Sequence, residues 1–186
     1  MDYRRALPED YAAIVELQNA NLEWNLDAQA RSDGFLSTAF SIEQFKRMNE
    51  EVAVVVCYDA GRLCGYVCAS SPAFNETMPF PAAMLRYARE TVYLGKPLTA
   101  YDICVTTPIC IDRAHRGSGL YLDLCHKMLE LIWDKHDLAV GFISTENKRH
   151  LHAIQKMAWV KPGVFEKDGH RFVLIVLPLR PALRTA

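Results

Sequence analysis

The chain has 186 residues, with 21 Lys plus Arg against 22 Asp plus Glu, a net charge of -1. That balance excludes a protein whose affinity comes from a general basic field, as in non-specific nucleic-acid binding. A content of 51% hydrophobic and 10% aromatic residues suits one folded domain over residues 1–186, which needs no disulfide or metal staple.

The longest apolar runs, 52–57 and 172–177, fall well short of the ~18 residues of a membrane span. The opening MDYRRALPEDY lacks the apolar stretch of a secretory signal, and the closing LRPALRTA carries no lipidation or retention signal. Cysteines at 57, 64, 68, 104, 110 and 125 have no zinc-site spacing. They read as buried free thiols, so a reducing, cytoplasmic setting is expected.

In chain order, residues 2–6 read as a first strand. Pro8, Glu9 and Asp10 open a helix, since proline and acidic side chains favour a helix N-terminus. Residues 23–40 are irregular. Ser41-Ile42-Glu43-Gln44 is a capping box and predicts a second helix to about Asn49. A hairpin follows, 52–58 and 63–70, turning at Asp59-Ala60-Gly61.

Residues 72–100 interrupt the strands. Pro72, Pro79 and Pro81 predict a loop there, and Ala82 to about Tyr93 a helix. A third long strand, 101–111, is expected to break near Pro108, because proline cannot donate to a ladder. Then come a helix from about Leu120 to Lys135, a strand at 139–144, and a helix capped by Asn147 that reaches about Met157. A hairpin, 159–165 and 170–177, closes the chain around Lys167-Asp168-Gly169.

The chemistry concentrates at Ile109-Cys110-Ile111-Asp112-Arg113-Ala114-His115-Arg116-Gly117-Ser118-Gly119-Leu120-Tyr121. A strand ends there, the chain turns through glycines and a helix begins. Backbone N–H groups at a helix start are unpaired and carry the positive end of the dipole, and glycines let a phosphate come close. The segment is therefore either a tight strand-to-helix turn or a phosphate cradle, to which Arg116 adds charge. It is not a P-loop, since Leu120 and Tyr121 follow the last glycine. It is not a dinucleotide fingerprint, since position 122 is Leu.

The run Arg116 to Tyr121 resembles motif A of the GNAT acyltransferase superfamily, Arg/Gln-x-x-Gly-x-Gly/Ala. It matches at Arg116 and Gly119, while Tyr121 replaces the final small residue. Residues 109–115 resemble the strand end before that motif, and Asn147 through Trp159 the following helix, with Ala158-Trp159 in place of Gly-Phe. Tyr3-Arg4-Arg5-Ala6 and Pro8-Glu9-Asp10 resemble the family's opening strand and helix.

The resemblance implies a mixed, mostly antiparallel α/β (α+β) sheet flanked by helices on both faces, with 72–100 as an insertion. It implies acetyl-CoA, or another acyl-CoA, as donor to an amine by direct transfer, with no metal. Ile109, Cys110 and Ile111 would pair with pantetheine. Amides of Arg116, Gly117, Ser118, Gly119, Leu120 and Tyr121 would take the pyrophosphate, and Asn147 would contact pantetheine.

The family's usual acid, a Tyr seven residues after the Asn, is here Ile154, and the stretch that would hold its Glu base carries Ile103, Val105 and Thr107. His150 shares the helical face of Ile154 and is the substitute expected to assist the leaving thiolate. Asp102, at the outer end of the strand, would act as base through water. These absences keep open a non-catalytic acyl-CoA sensor of the same fold.

His150 and His152 lie about 200° apart on a helix, poor for sharing one metal. Gly117-Ser118-Gly119 is not a nucleophile elbow, and Cys110 sits in an apolar run. Trp24, Phe35 and Phe40 fall where the family builds its acceptor site, or are simple packing. The insertion is expected to wall the acceptor end, with an outer decoration or a homodimer contact as the alternative.

Overall fold

A buried carboxylate fixes the first corner of the chain, which a computed structural model describes over residues 1–183. The last three residues, the end of the C-terminal stretch read above, lie outside the described residues. Strand β1 (Asp2–Arg5) leads through a 3-10 turn at Pro8–Asp10 into α1 (Tyr11–Asn19). Asp10 accepts hydrogen bonds from Arg4 (2.6 and 2.9 Å), the Leu7 N–H (2.7 Å) and the Tyr58 hydroxyl (2.8 Å). Strand, turn and helix are thereby tied to one point.

The irregular stretch holds the short α2 (Ala28–Ser32), capped by Asp27. The Ser41/Gln44 capping box forms as expected and starts α3 (Ile42–Glu51). The hairpin follows as β2 (Ala53–Asp59) and β3 (Arg62–Ala69).

The entry to the insertion differs from the expected loop. It is helical, as α4 (Pro72–Asn75) and α5 (Pro79–Glu90). Each proline sits at a helix's first turn, where a missing N–H costs nothing, and the Ser71 hydroxyl caps α4 through the Phe74 N–H (3.1 Å). A small hairpin, β4 (Val92–Tyr93) and β5 (Lys96–Pro97), completes the insertion.

The expected break at Pro108 divides the next strand into β6 (Ile103–Val105) and β7 (Ile109–Ile111), around a cis Thr107–Pro108 bond. The chain ends with α6 (Leu120–Ile132), β8 (Leu138–Ser144), α7 (Lys148–Ala153), β9 (Val160–Lys167) and β10 (His170–Pro178).

The sheet is mixed and mostly antiparallel, and it comes in two halves. One has the order β1-β2-β3-β7 and the other β6-β8-β10-β9; β6–β8 is the parallel pair. Side chains alternate across the first half. Val54, Val56, Tyr66 and Cys68 pack under α1 and α3, while Val55, Val67, Leu120, Leu124 and Met128 form the core under α6 on the other face. The insertion covers the second half, where Met84, Leu85 and Ala88 pack with Phe165, Phe172 and Leu174. All six cysteines are free and buried, Cys125 on α6 and the other five in strands, as expected.

Candidate active site

The gap between the two halves makes the site. β7 pairs with β3 through Cys110 opposite Tyr66, with the Cys68 N–H on the Pro108 carbonyl and the Asp112 N–H on the Cys64 carbonyl (both 2.9 Å). Antiparallel alternation turns the polar groups of Ile109 and Ile111 to the other edge, toward β8. β8 is occupied on that side only as far as Val140, whose carbonyl accepts the Thr106 N–H (2.8 Å). Beyond it the strands part, and a cleft of about 430 Å³ opens between them.

At one end of the cleft lies the glycine turn. Gly117 and Gly119 have φ of 86° and 95°, a left-handed conformation that favours glycine. Gly119 is the N-cap of α6 and offers no side-chain cap. The backbone N–H groups of Gly117, Ser118, Gly119, Leu120 and Tyr121 have no acceptor among the described residues. Five unpaired donors at the start of a 13-residue helix are the kind of donor set that an anion at a helix N-terminus uses. A Cβ on Gly117 would meet a guanidinium nitrogen of Arg149 at 3.6 Å, so a cation flanks the turn.

Burial holds the Arg116 guanidinium below the ordinary arginine range, with Cys110 opposing that shift. It donates to the Ile111 carbonyl (3.1 Å), the Asp33 carbonyl (2.7 Å) and Asn21 Oδ1 (2.6 Å). Three of its five N–H groups are thus committed to the frame, and its own backbone N–H goes to the Arg113 carbonyl (3.3 Å). It straps residues 21 and 33 to the glycine turn.

Asn147 caps α7 through the His150 N–H (3.0 Å) and lies against Gly34 of the same strap. Asp33, which sequence reading missed, faces Arg113 at 3.5 Å and Arg149 at 3.9 Å.

Midway along the cleft, His150 and Tyr121 come together with Trp159 and Cys125. Burial pushes the His150 imidazole down to about 4, so it is neutral at pH 7. A neutral imidazole can still assist the leaving thiolate as expected, as an N–H donor or proton carrier. Burial, with Cys125 adding to it, raises the Tyr121 phenol and keeps its proton on. The buried Trp159 indole nitrogen lies beside the Tyr121 hydroxyl. Ile154 is buried where the resemblance would place a Tyr.

Asp102 does not belong to this constellation. It precedes β6, about 13 Å of extended chain before Thr106, and pairs with His136 Nδ1 at 3.1 Å. Its carboxylate therefore cannot serve the cleft as base. Cys110 is buried, and its thiol is pushed up to about 12 by burial, with Arg116 opposing, which makes it a poor nucleophile. Trp24 is exposed at 62% and away from the cleft, whereas Phe35 and Phe40 line it. Among the described residues no cluster of His, Cys, Asp or Glu could hold a metal ion, and no helix is long and apolar enough to cross a membrane.

The fold has counterparts among solved structures. An N-acetyltransferase from Staphylococcus aureus Mu50 is 18% identical over 96% of this chain and 98% of that one, with a TM-score of 0.63. An acetyltransferase of the GNAT family from Streptococcus pneumoniae is 19% identical over 95% and 98%, with a TM-score of 0.63. The chain has the GNAT fold. The structure of yncA from Salmonella typhimurium with its cofactor acetyl-CoA is similar to this GNAT fold over 97% of this chain and 94% of that one, at 16% identity and a TM-score of 0.64. No protein-family model matches the sequence, and no curated protein does.

Proposed function

We propose that this GNAT-fold protein transfers an acetyl group from acetyl-CoA to an amine by direct attack on the thioester. The observation that carries the reading is the row of five unpartnered N–H groups beside Arg149, opening onto the gap between β7 and β8. The pyrophosphate is the anion those donors suit. Pantetheine then runs along the free edge of Ile109 and Ile111, past Asn147, and carries the thioester toward Thr106 and Thr107. The Ile111 carbonyl is already taken by Arg116, which leaves the Ile109 groups and the Ile111 N–H to pair with the arm.

The amine nitrogen attacks the carbonyl carbon, the C–S bond breaks, and its electron pair leaves on sulfur. The proton lost from nitrogen ends on that sulfur, directly or through water. His150, which burial keeps neutral, serves as a hydrogen-bond donor or relay beside the Tyr121 ring. A cytoplasmic setting with its acetyl-CoA is part of the proposal.

A second reading, an acyl-CoA sensor without turnover, is favoured by one observation: Ile154 stands where the acid is expected. Calorimetry with acetyl-CoA, combined with detection of free CoA in the presence of amines, separates the two. Binding with amine-dependent CoA release supports transfer. Binding without release supports the sensor, and no binding refutes both.

A further inference from the structure

The acceptor end of the cleft is neutral. β7 runs from Pro108 toward the cradle, so the opposite end is marked by Thr106 and Thr107. The cleft is also lined by Phe142 of β8, Pro81 of α5, and Phe35, Thr38 and Phe40 of the stretch before α3. None of these side chains is charged. Thr38 Oγ1 is buried there with no partner.

The cleft's carboxylate among the described residues is Asp33, at the cradle end between Arg113 and Arg149. Its other ionisable groups are basic or resist ionisation. Arg116, Arg149 and His115 surround the cradle; His152 and Lys156 continue the Arg149 face of the helix; His150 is neutral. The thiols and the phenol that line it are raised by burial.

An alkylamine of pKa ~10 is about 99.9% ammonium at pH 7. To react it needs an anion to hold it out of water and a base to take its proton. Neither stands at this end. A hydroxyl acceptor fares worse, because without a base it is a feeble nucleophile. An amine of low basicity meets neither obstacle. It enters uncharged with its lone pair free, and an aromatic body suits a cleft whose lining includes Phe35, Phe40 and Phe142.

We propose, building on the acetyl-transfer reading, that the acceptor is a weakly basic amine, uncharged at neutral pH and carried on an aromatic body, of which an arylamine is the type. Its nitrogen takes the acetyl group and releases its proton to the departing CoA sulfur, giving an N-aryl amide and free CoA.

The test compares isomers. 4-Methylaniline and benzylamine have the same atoms and nearly the same shape but differ in basicity, and spermidine serves as a polycation. The expected result is a kcat/KM for 4-methylaniline at least about 100-fold above both others at pH 7, and flat from pH 6 to 8. Any benzylamine rate should rise about tenfold per pH unit, following its neutral fraction. Thr107→Glu should move the ratio toward benzylamine by tenfold or more.

Preference for benzylamine or spermidine in the parent protein overturns the proposal, as does acetyl-CoA binding with no turnover of 4-methylaniline. Calorimetry with acetyl-CoA on the same preparation separates this from failure of the underlying reading. If acetyl-CoA binds and a cationic amine is preferred, only the acceptor class is wrong. If acetyl-CoA does not bind, both fall.

Discussion

The ring of Tyr121 meets that of His150 edge to face, with centroids 5.6 Å apart and an interplanar angle of 73°. The contact ties the first turn of the cradle helix to α7 across the cleft. It also explains the replacement of a small residue by Tyr121: the ring fills space between two helices that a glycine would leave open.

Burial of His150 makes stability depend on pH. Its folded value, about 4, lies below the ordinary 6.5. Between those values the unfolded chain binds more protons than the folded one, so stability falls as pH drops from 6.5 to 4. The loss attributable to this group is at most about 3 kcal/mol. Thermal unfolding across that range should show a shallower slope in His150→Phe than in the parent.

Arg116 is predicted to act through the frame. Arg116→Ala strands the Asn21 and Asp33 acceptors and should cost about 3 kcal/mol of stability. Arg116→Lys should recover little, because one ammonium cannot span three separated acceptors. Denaturant melts of both variants measure this. Full rescue by lysine would refute the strap.

Asp33 competes with any anion at the cradle. Asp33→Asn removes a like charge near the phosphates and leaves its backbone carbonyl on Arg116. CoA should bind about 3- to 10-fold more tightly at low salt, with the gain fading at high salt, since these pairs are exposed. Calorimetry at two ionic strengths reads the effect; equal affinities at low salt would show that Asp33 does not face the bound anion.

The insertion reaches the cleft through Pro81, while Met84, Leu85 and Ala88 are core. Replacing residues 74–98 by a linker would therefore unfold the second half-sheet, and the sharper probe is Pro81→Tyr. It should raise the acceptor KM several-fold with CoA affinity unchanged. An unchanged KM would place the acceptor elsewhere.

Much of this site was legible in local sequence. Gly117, Gly119 and Asn147 sit at fixed distances from strand ends, the Ser41 capping box is a four-residue signal, and Pro108 announces the parted strand. What escaped was long-range or depended on orientation. Asp33 is separated from Arg116 by 83 positions, so no local pattern announces their strap. The prolines at 72 and 79 suited a loop as well as a helix start; the Ser71 cap decides it at Pro72, while α5 starts at Pro79 without any side-chain cap. Asp102 falls just before β6 and not on the strand, and its pairing with His136 comes from the turn before β8. The lowered value of His150 follows from its burial against Tyr121 of another helix, which spacing along one helix cannot give.

The most direct test of the central claim, that the glycine turn holds the donor's pyrophosphate, is CoA binding by Gly119→Asp. Apart from the turn's own neighbours, nothing lies within 4 Å of a Cβ at Gly119, so the variant's cost is the left-handed strain of a side chain at φ 95°, about 1–2 kcal/mol. The account predicts a folded variant that has lost CoA binding by calorimetry. A folded variant with the parent's CoA affinity would contradict it.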